Sequence, residues 1–194
     1  EGIVSIGEEA IYKTKITEIT LPKSLTNTRK YAMGYNSDLE KITVNSNATS
    51  SKWGKWVFWR ASGAYDVYMI CDTKPEVPDI YTFDNDFAST IHIYPSLYID
   101  YKTDYHWNCY KIVPDLVQDL SNEDLQNAID AYKAKLPGDE DVGTAPGFYT
   151  ATSVNAVKDA LAAASALDEN ATAQQRNDAL LQMIIAVDGL TIKS

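Results

Sequence analysis

The chain has 194 residues, 45% of them apolar, with 27 acidic and 17 basic side chains and a formal net charge of −10. That length suffices for one large domain or two small ones. The acidic balance argues against nucleic acid, because phosphate binding needs a basic stripe and no run of Lys and Arg supplies one.

Composition divides the chain. Residues 1–114 hold 14 acidic and 12 basic side chains and 18 of the 21 aromatics, whereas residues 115–194 hold 13 acidic and 5 basic side chains and are rich in Ala. Two folded units of different kind are expected, 1–114 and 115–194, with the boundary at Pro114-Asp115. No apolar run is long enough for a transmembrane helix, and the N-terminus lacks the basic-then-apolar start of a signal peptide. The chain opens in mid-pattern at Glu1-Gly2-Ile3, so further repeats or a removed signal peptide are expected upstream.

The first unit opens with one pattern written twice. Ile3, Ile6-Gly7, Ala10-Ile11, Ile16, Ile19 and Leu21-Pro22 are answered by Leu25, Thr28-Arg29, Ala32-Met33, Leu39, Ile42 and Val44. The offset is 22 residues from Ile6 to Thr28 and 23 from Ile19 to Ile42, so one residue is inserted between the halves. A period of this size marks a solenoid, because one turn cannot bury its apolar side alone and must stack on a neighbour. Ile19-Thr20-Leu21 and Ile42-Thr43-Val44 alternate apolar and polar and read as short strands, with Ala10-Ile11 and Ala32-Met33 filling the opposite wall.

After Val44 comes a polar loop, Asn45 to Ser51, and then Trp53, Trp56 and Trp59 among Lys52, Lys55 and Arg60. Val67 to Ile70 reads as the next strand, about 25 residues after Ile42-Thr43-Val44. Pro75 and Pro78 make Asp72 to Asp79 a turn. Ile91-His92-Ile93 is a further strand, followed by Tyr98, Tyr101, Trp107, Tyr110 and Ile112, whose large side chains would cover the last apolar layer.

Beyond Pro114 the period becomes helical. Ser121 with Asp124, Thr150, and Thr172 with Gln175 can each cap a helix. The inward faces are Leu125, Ala128, Ile129, Tyr132 and Leu136, ended by Pro137-Gly138; then Val154, Val157, Leu161, Ala164 and Leu167; then Leu180, Met183, Ile184, Val187 and Leu190. Three amphipathic helices on short loops predict a three-helix bundle.

Two resemblances add to this reading. The unit SIGEEAIYKTKITEITLPKSL resembles the BspA-like leucine-rich repeat of bacterial surface proteins, through Ile6-Gly7, Ala10, Ile19, Leu21 and Pro22. The run from Tyr68 to Leu116 is similar to the closing segment of that family, with Trp107, Tyr110 and Ile112 as its cap. Residues 147–190 resemble the FIVAR module, through Tyr149, Thr150, Ser153, Ala160-Leu161, Ala179 and the Ala186 to Leu190 run. The resemblances imply an α+β fold in two parts: the C-terminal end of a leucine-rich-repeat β-solenoid with an aromatic cap, then a FIVAR-like three-helix bundle. They also imply a location outside a bacterial cell, extracellular or on its surface, and adhesion to host protein or glycan without enzymatic activity. The alternatives are an accessory region of a larger surface glycan-degrading or proteolytic enzyme, or a structural spacer.

No catalytic motif is spelled out, no cofactor is implied, and no metal site is expected. His92, between Ile91 and Ile93, should sit exposed on the outer side of its strand, and His106 with Cys109 offers only half of a zinc site. Asp84-Asn85-Asp86 imitates the start of a calcium loop, but Ala88, Ser89 and Pro95 do not continue it. Cys71 and Cys109 are expected to be reduced, a bridge between them being the alternative. The best functional lead is Trp53, Trp56, Trp59 and Arg60: exposed rings beside cations can stack on sugars or anchor a protein partner, the alternative being that these Trp residues pack as an irregular repeat turn.

Overall fold

The computed structural model describes residues 2–45, 53–61, 65–83 and 87–193. They divide into two compact units, Glu1–Leu116 and Val117–Ser194. The polar segment from 46 to 51, Lys52 and the Asp84-Asn85-Asp86 triplet lie outside the described residues.

The first unit is a parallel β-solenoid. Short strands β1 (Ser5–Ile6), β2 (Glu18–Leu21), β3 (Asn27–Thr28), β4 (Lys41–Val44), β5 (Asp66–Met69), β6 (Thr90–His92) and β7 (Lys111–Val113) follow one another along the chain. β1 pairs with β3, and the rest form one sheet in the order β2-β4-β5-β6-β7. Every pair is parallel. The repeat read from the sequence sets the register: Ile6 lies opposite Thr28 and Ile19 opposite Ile42. One interior row then runs across the sheet through Ile19, Ile42, Val67, Ile91 and Ile112. Ile42, Val67 and Ile91 are fully buried, as expected for β-branched residues alternating with outward Lys41, Asp66 and Thr90.

The opposite wall is built from the turn segments 8–13, 30–35 and 55–60, which stack through a second backbone ladder. Ile11 N donates to Ala32 O (2.8 Å), Lys13 N to Gly34 O (3.2 Å), Met33 N to Val57 O (2.9 Å), Tyr35 N to Trp59 O (2.8 Å) and Phe58 N to Thr82 O (2.8 Å). Met33, Phe58 and Phe83 therefore form a buried row facing the sheet, Phe58 and Phe83 stacked at 5.6 Å. Ala32 fills this wall as expected, but Ala10 is exposed and Ile11 half-buried, because no coil lies above the first among the described residues.

The aromatic segment after β6 holds more regular structure than its composition suggests. Tyr98–Thr103 is a short helix, α1, and Ile112, read from sequence as the end of a cap, lies in β7 on the growing sheet. Three-residue elements beside Pro114 and Pro95 are too short to show a period. Trp107 and Tyr101 are completely buried there, their rings 4.8 Å apart. Cys71 is buried just past the end of β5, and it is not bridged to Cys109.

The second unit holds α2 (Asn122–Lys133), α3 (Ala151–Ser165) and α4 (Ala173–Asp188), each in contact with the other two. Ser121 and Asp124, like Thr172 and Gln175, form reciprocal capping boxes, and Thr150 accepts from Ser153 N. The inward residues are those the 3.6-residue period selects, with Leu125, Ile129, Val157, Leu161, Met183 and Ile184 buried. α2 stops at Lys133 rather than running to Leu136. Leu136 precedes Pro137, and the proline ring disfavours helical geometry at the residue before it.

Candidate binding face

The ladder of turn segments puts equivalent residues of successive coils into columns. Lys30-Tyr31-Ala32-Met33-Gly34-Tyr35 lies over Lys55-Trp56-Val57-Phe58-Trp59-Arg60, residue for residue. Glu9 and Lys13, Tyr31 and Tyr35, and Trp56 and Arg60 all adopt left-handed backbone, with φ between 52° and 58°. Such geometry costs a bulky residue about 1–2 kcal/mol. Its recurrence at the same two places in three coils makes it part of how each coil turns, with the ladder hydrogen bonds offsetting the cost. Each left-handed pair turns side chains outward at fixed positions.

What is turned outward is a chain of half-buried rings. Tyr35 and Tyr12 are 5.0 Å apart, Tyr12 and Tyr31 6.5 Å, Tyr31 and Trp56 5.4 Å, Trp56 and Trp59 5.8 Å, and Trp59 and Tyr81 5.5 Å. Tyr31 and Trp56 are stacked, at an interplanar angle of 27°, as their common column requires. Gly34 leaves room in the middle of the chain, since a Cβ there would stand 3.3 Å from Trp59 O and 3.6 Å from the rings of Tyr12 and Tyr31.

Cations lie on these rings. Lys30 Nζ is 4.8 Å from the centroids of both Tyr31 and Trp56. Lys13 Nζ is 5.1 Å from Tyr12 and 5.4 Å from Tyr35, and the Arg60 guanidinium is 5.6 Å from Tyr35. Tyr35 is thus flanked by a cation from the coil before and a cation from the coil after. At exposed sites such contacts hold a cation with about 0.5–1 kcal/mol each, enough to bias the side chains without neutralising them. Among the described residues none of Lys13, Lys30, Lys55 and Arg60 has a carboxylate partner. The turns 30–35 and 55–60 contain no acidic residue at all.

Of the residues singled out from sequence, Trp56, Trp59 and Arg60 belong to this face. Trp53 does not: it is only 8% exposed and packs inward on Phe58 (6.4 Å) and Phe83 (5.7 Å). It lies before the left-handed turn, which begins at Trp56, so its side chain follows the interior path. Tyr12, Lys13, Lys30, Tyr31, Tyr35 and Tyr81 were missed. The signal lay in aligning KYAMGY with KWVFWR at an offset of 25, which a search for local clusters of Trp or Lys passes over.

The other candidates resolve differently. His92 points outward as expected but is not exposed; its side chain is 14% accessible. It stacks on Tyr68 at 4.5 Å and 7°, with the Asp115 carboxylate 2.9 Å from Nδ1 and Asp66 3.6 Å from Nε2. Lys41 Nζ lies 5.0 Å from the Tyr68 ring, so the outer side of the sheet carries mixed charge. His106 Nδ1 is 3.2 Å from Asp104, and among the described residues no three His, Cys, Asp or Glu side chains are grouped as metal ligands would be. No described helix is long and apolar enough to cross a membrane. Compared with known protein families, with curated proteins and with solved structures, the chain matches none.

Proposed function

We propose that this chain is a non-enzymatic recognition unit, displayed on or released from a bacterial cell, which binds host protein or glycan through the ring and cation face. The coils are read as the C-terminal end of a leucine-rich-repeat solenoid of the BspA-like kind with its aromatic cap. The helices are read as a FIVAR-like three-helix bundle. The surface location rests on those two resemblances.

The observation that supports binding is the face itself. Half-buried rings leave part of their faces open to a ligand, and cations with no carboxylate partner beside them can meet one that the ligand brings. Here half-buried rings hold Lys13, Lys30 and Arg60, none of which has a carboxylate partner among the described residues, and Lys30 recurs as Lys55 one coil on. Binding is measured on arrays of glycans and of matrix proteins, with the wild type and with a Trp56→Ala/Arg60→Ala variant of unchanged helix and sheet content. The wild type is expected to bind members of the panel and the variant to lose about tenfold or more in affinity. A wild type that binds nothing, or a variant that binds equally well, reduces the face to packing.

A further inference from the structure

Resting on that reading, we infer that the ring and cation face takes an anionic glycan, a polysaccharide bearing carboxylate or sulfate groups, laid across the coils so that successive sugar units meet successive turns.

The sign of charge comes first. In a chain of net charge −10, the second and third turns present Lys30, Lys55 and Arg60 with no carboxylate among them; the first adds Lys13 at one end and carries Glu8 and Glu9 at the other. The outer side of the sheet, by contrast, alternates Glu18, Lys41 and Asp66 along one row. A polyanion is complementary to the second and third turns and not to the sheet.

Spacing then selects among polyanions. Stacked coils repeat at the distance between neighbouring strands, about 4.8 Å. An extended acidic peptide presents side chains on one side every 6.7 Å or so, and a stacked nucleic acid strand advances about 3.4 Å per nucleotide. Both fall out of register within a few coils. A pyranose unit in an extended chain advances by roughly one coil, so successive units stay in step with successive turns.

The cations are arranged to suit this. Lys30 and Lys55 occupy one column, and Lys13 and Arg60 another two coils apart, with Tyr35 between them. The rings of Tyr31, Trp56, Tyr12 and Trp59 lie between the two cation columns in chain order. Acidic groups along both edges of a sugar chain would meet the columns while its C–H faces lie against the ring edges. Because the ring contacts already restrict Lys30, Lys13 and Arg60, less side-chain freedom is lost on binding.

The test uses the full chain with five probes: heparin, polygalacturonate, neutral dextran, polyglutamate and oligo-dT. Heparin and polygalacturonate separate sulfate from carboxylate as the anionic group; binding of either, weakening with added salt, is expected. Lys30→Gln/Arg60→Gln should lose about tenfold or more in affinity, while Lys111→Gln, on the sheet side, stays within about twofold of wild type. Lys55→Gln leaves every ring contact in place and guards against a folding defect; it should weaken binding in the same direction. Dextran bound as tightly as heparin, polyglutamate or oligo-dT bound more tightly than either acidic glycan, or no loss in Lys55→Gln, overturns the inference. Binding to none of the five probes with the array binding intact sinks the ligand class alone, whereas loss of both sinks the recognition reading with it.

Discussion

Asn36 is completely buried, yet its side chain is fully engaged. Its Oδ1 accepts from Thr14 N and Thr14 Oγ1, both at 2.7 Å, and its Nδ2 donates to Ile11 O (2.7 Å) and Met33 O (2.8 Å). Two donors on one side and two carbonyls on the other match the amide alone among side chains of this size, and they tie the end of the first turn to the second. Replacing it by Ala would strand several buried polar groups at about 1–3 kcal/mol each. Asn36→Ala is therefore expected to destabilise the solenoid by about 3 kcal/mol or more, read as a lower urea midpoint. Asn36→Asp should do no better, since it sets a carboxylate oxygen against two carbonyls. A midpoint within error of wild type for either variant would show that solvent replaces the network. Nothing in the sequence marks this residue, because Asn in a turn is ordinary and its partners are up to 25 residues away.

At the scale of the coil, neighbouring backbones come close at Gly54. A Cβ there would stand 2.5 Å from the backbone carbon of Arg29 and 2.7 Å from its oxygen. Gly54 N also reaches Thr28 Oγ1 at 3.2 Å. Backbone cannot swing aside as a side chain can, so Gly54→Ala must push the second and third coils apart, at about 1–3 kcal/mol. Gly7→Ala is the control, since its Cβ would meet nothing within 4 Å. Comparing the two thermal melts gives the outcome: a large fall for Gly54→Ala, and little change for Gly7→Ala. Equal behaviour would mean that the coils are not held at this spacing.

Elements of this kind differ in how far their sequence announces them. Coils one and two were legible because Ile19-Thr20-Leu21 and Ile42-Thr43-Val44 keep both their alternation and their distance, and the structure pairs them residue for residue. The helix caps were legible because a hydroxyl and a carboxylate or amide three residues apart satisfy the same exposed N–H groups wherever they occur. β7 and α1 were not, being shorter than the window in which a period can be counted. The face was half legible: Trp56, Trp59 and Arg60 stand out by type, but Lys30 and Tyr31 join them only through a ladder that no local pattern encodes. For Trp53 the packing alternative holds, because exposure is decided by the backbone path and the left-handed turn starts after it.

In the whole molecule, each unit has its own interior. The solenoid core runs from Ile6 to Tyr110 and includes Tyr101 of α1. The helical unit buries Leu120, Leu125, Ile129, Tyr132, Val154, Val157, Leu161, Leu180, Met183 and Ile184. Its first residues are fastened within it: Asn177, 2% exposed, accepts from Gln118 N at 3.1 Å and donates to Gln118 O at 2.6 Å, and Arg176 Nε donates to Leu120 O at 2.6 Å. A segment 117–194 produced alone is expected to give helical circular dichroism and a single cooperative melt. A gradual, non-cooperative loss of ellipticity would show that this segment needs the rest of the chain to fold.

The paired left-handed residues have an evolutionary corollary. Since the backbone of each turn fixes where its outward side chains stand, whatever amino acid occupies those places inherits the same address: Glu9, Tyr31 and Trp56 share one, Lys13, Tyr35 and Arg60 another. Substitution there changes the outward surface without redrawing the scaffold, and duplication of a single coil would extend that surface by two such places at a stroke.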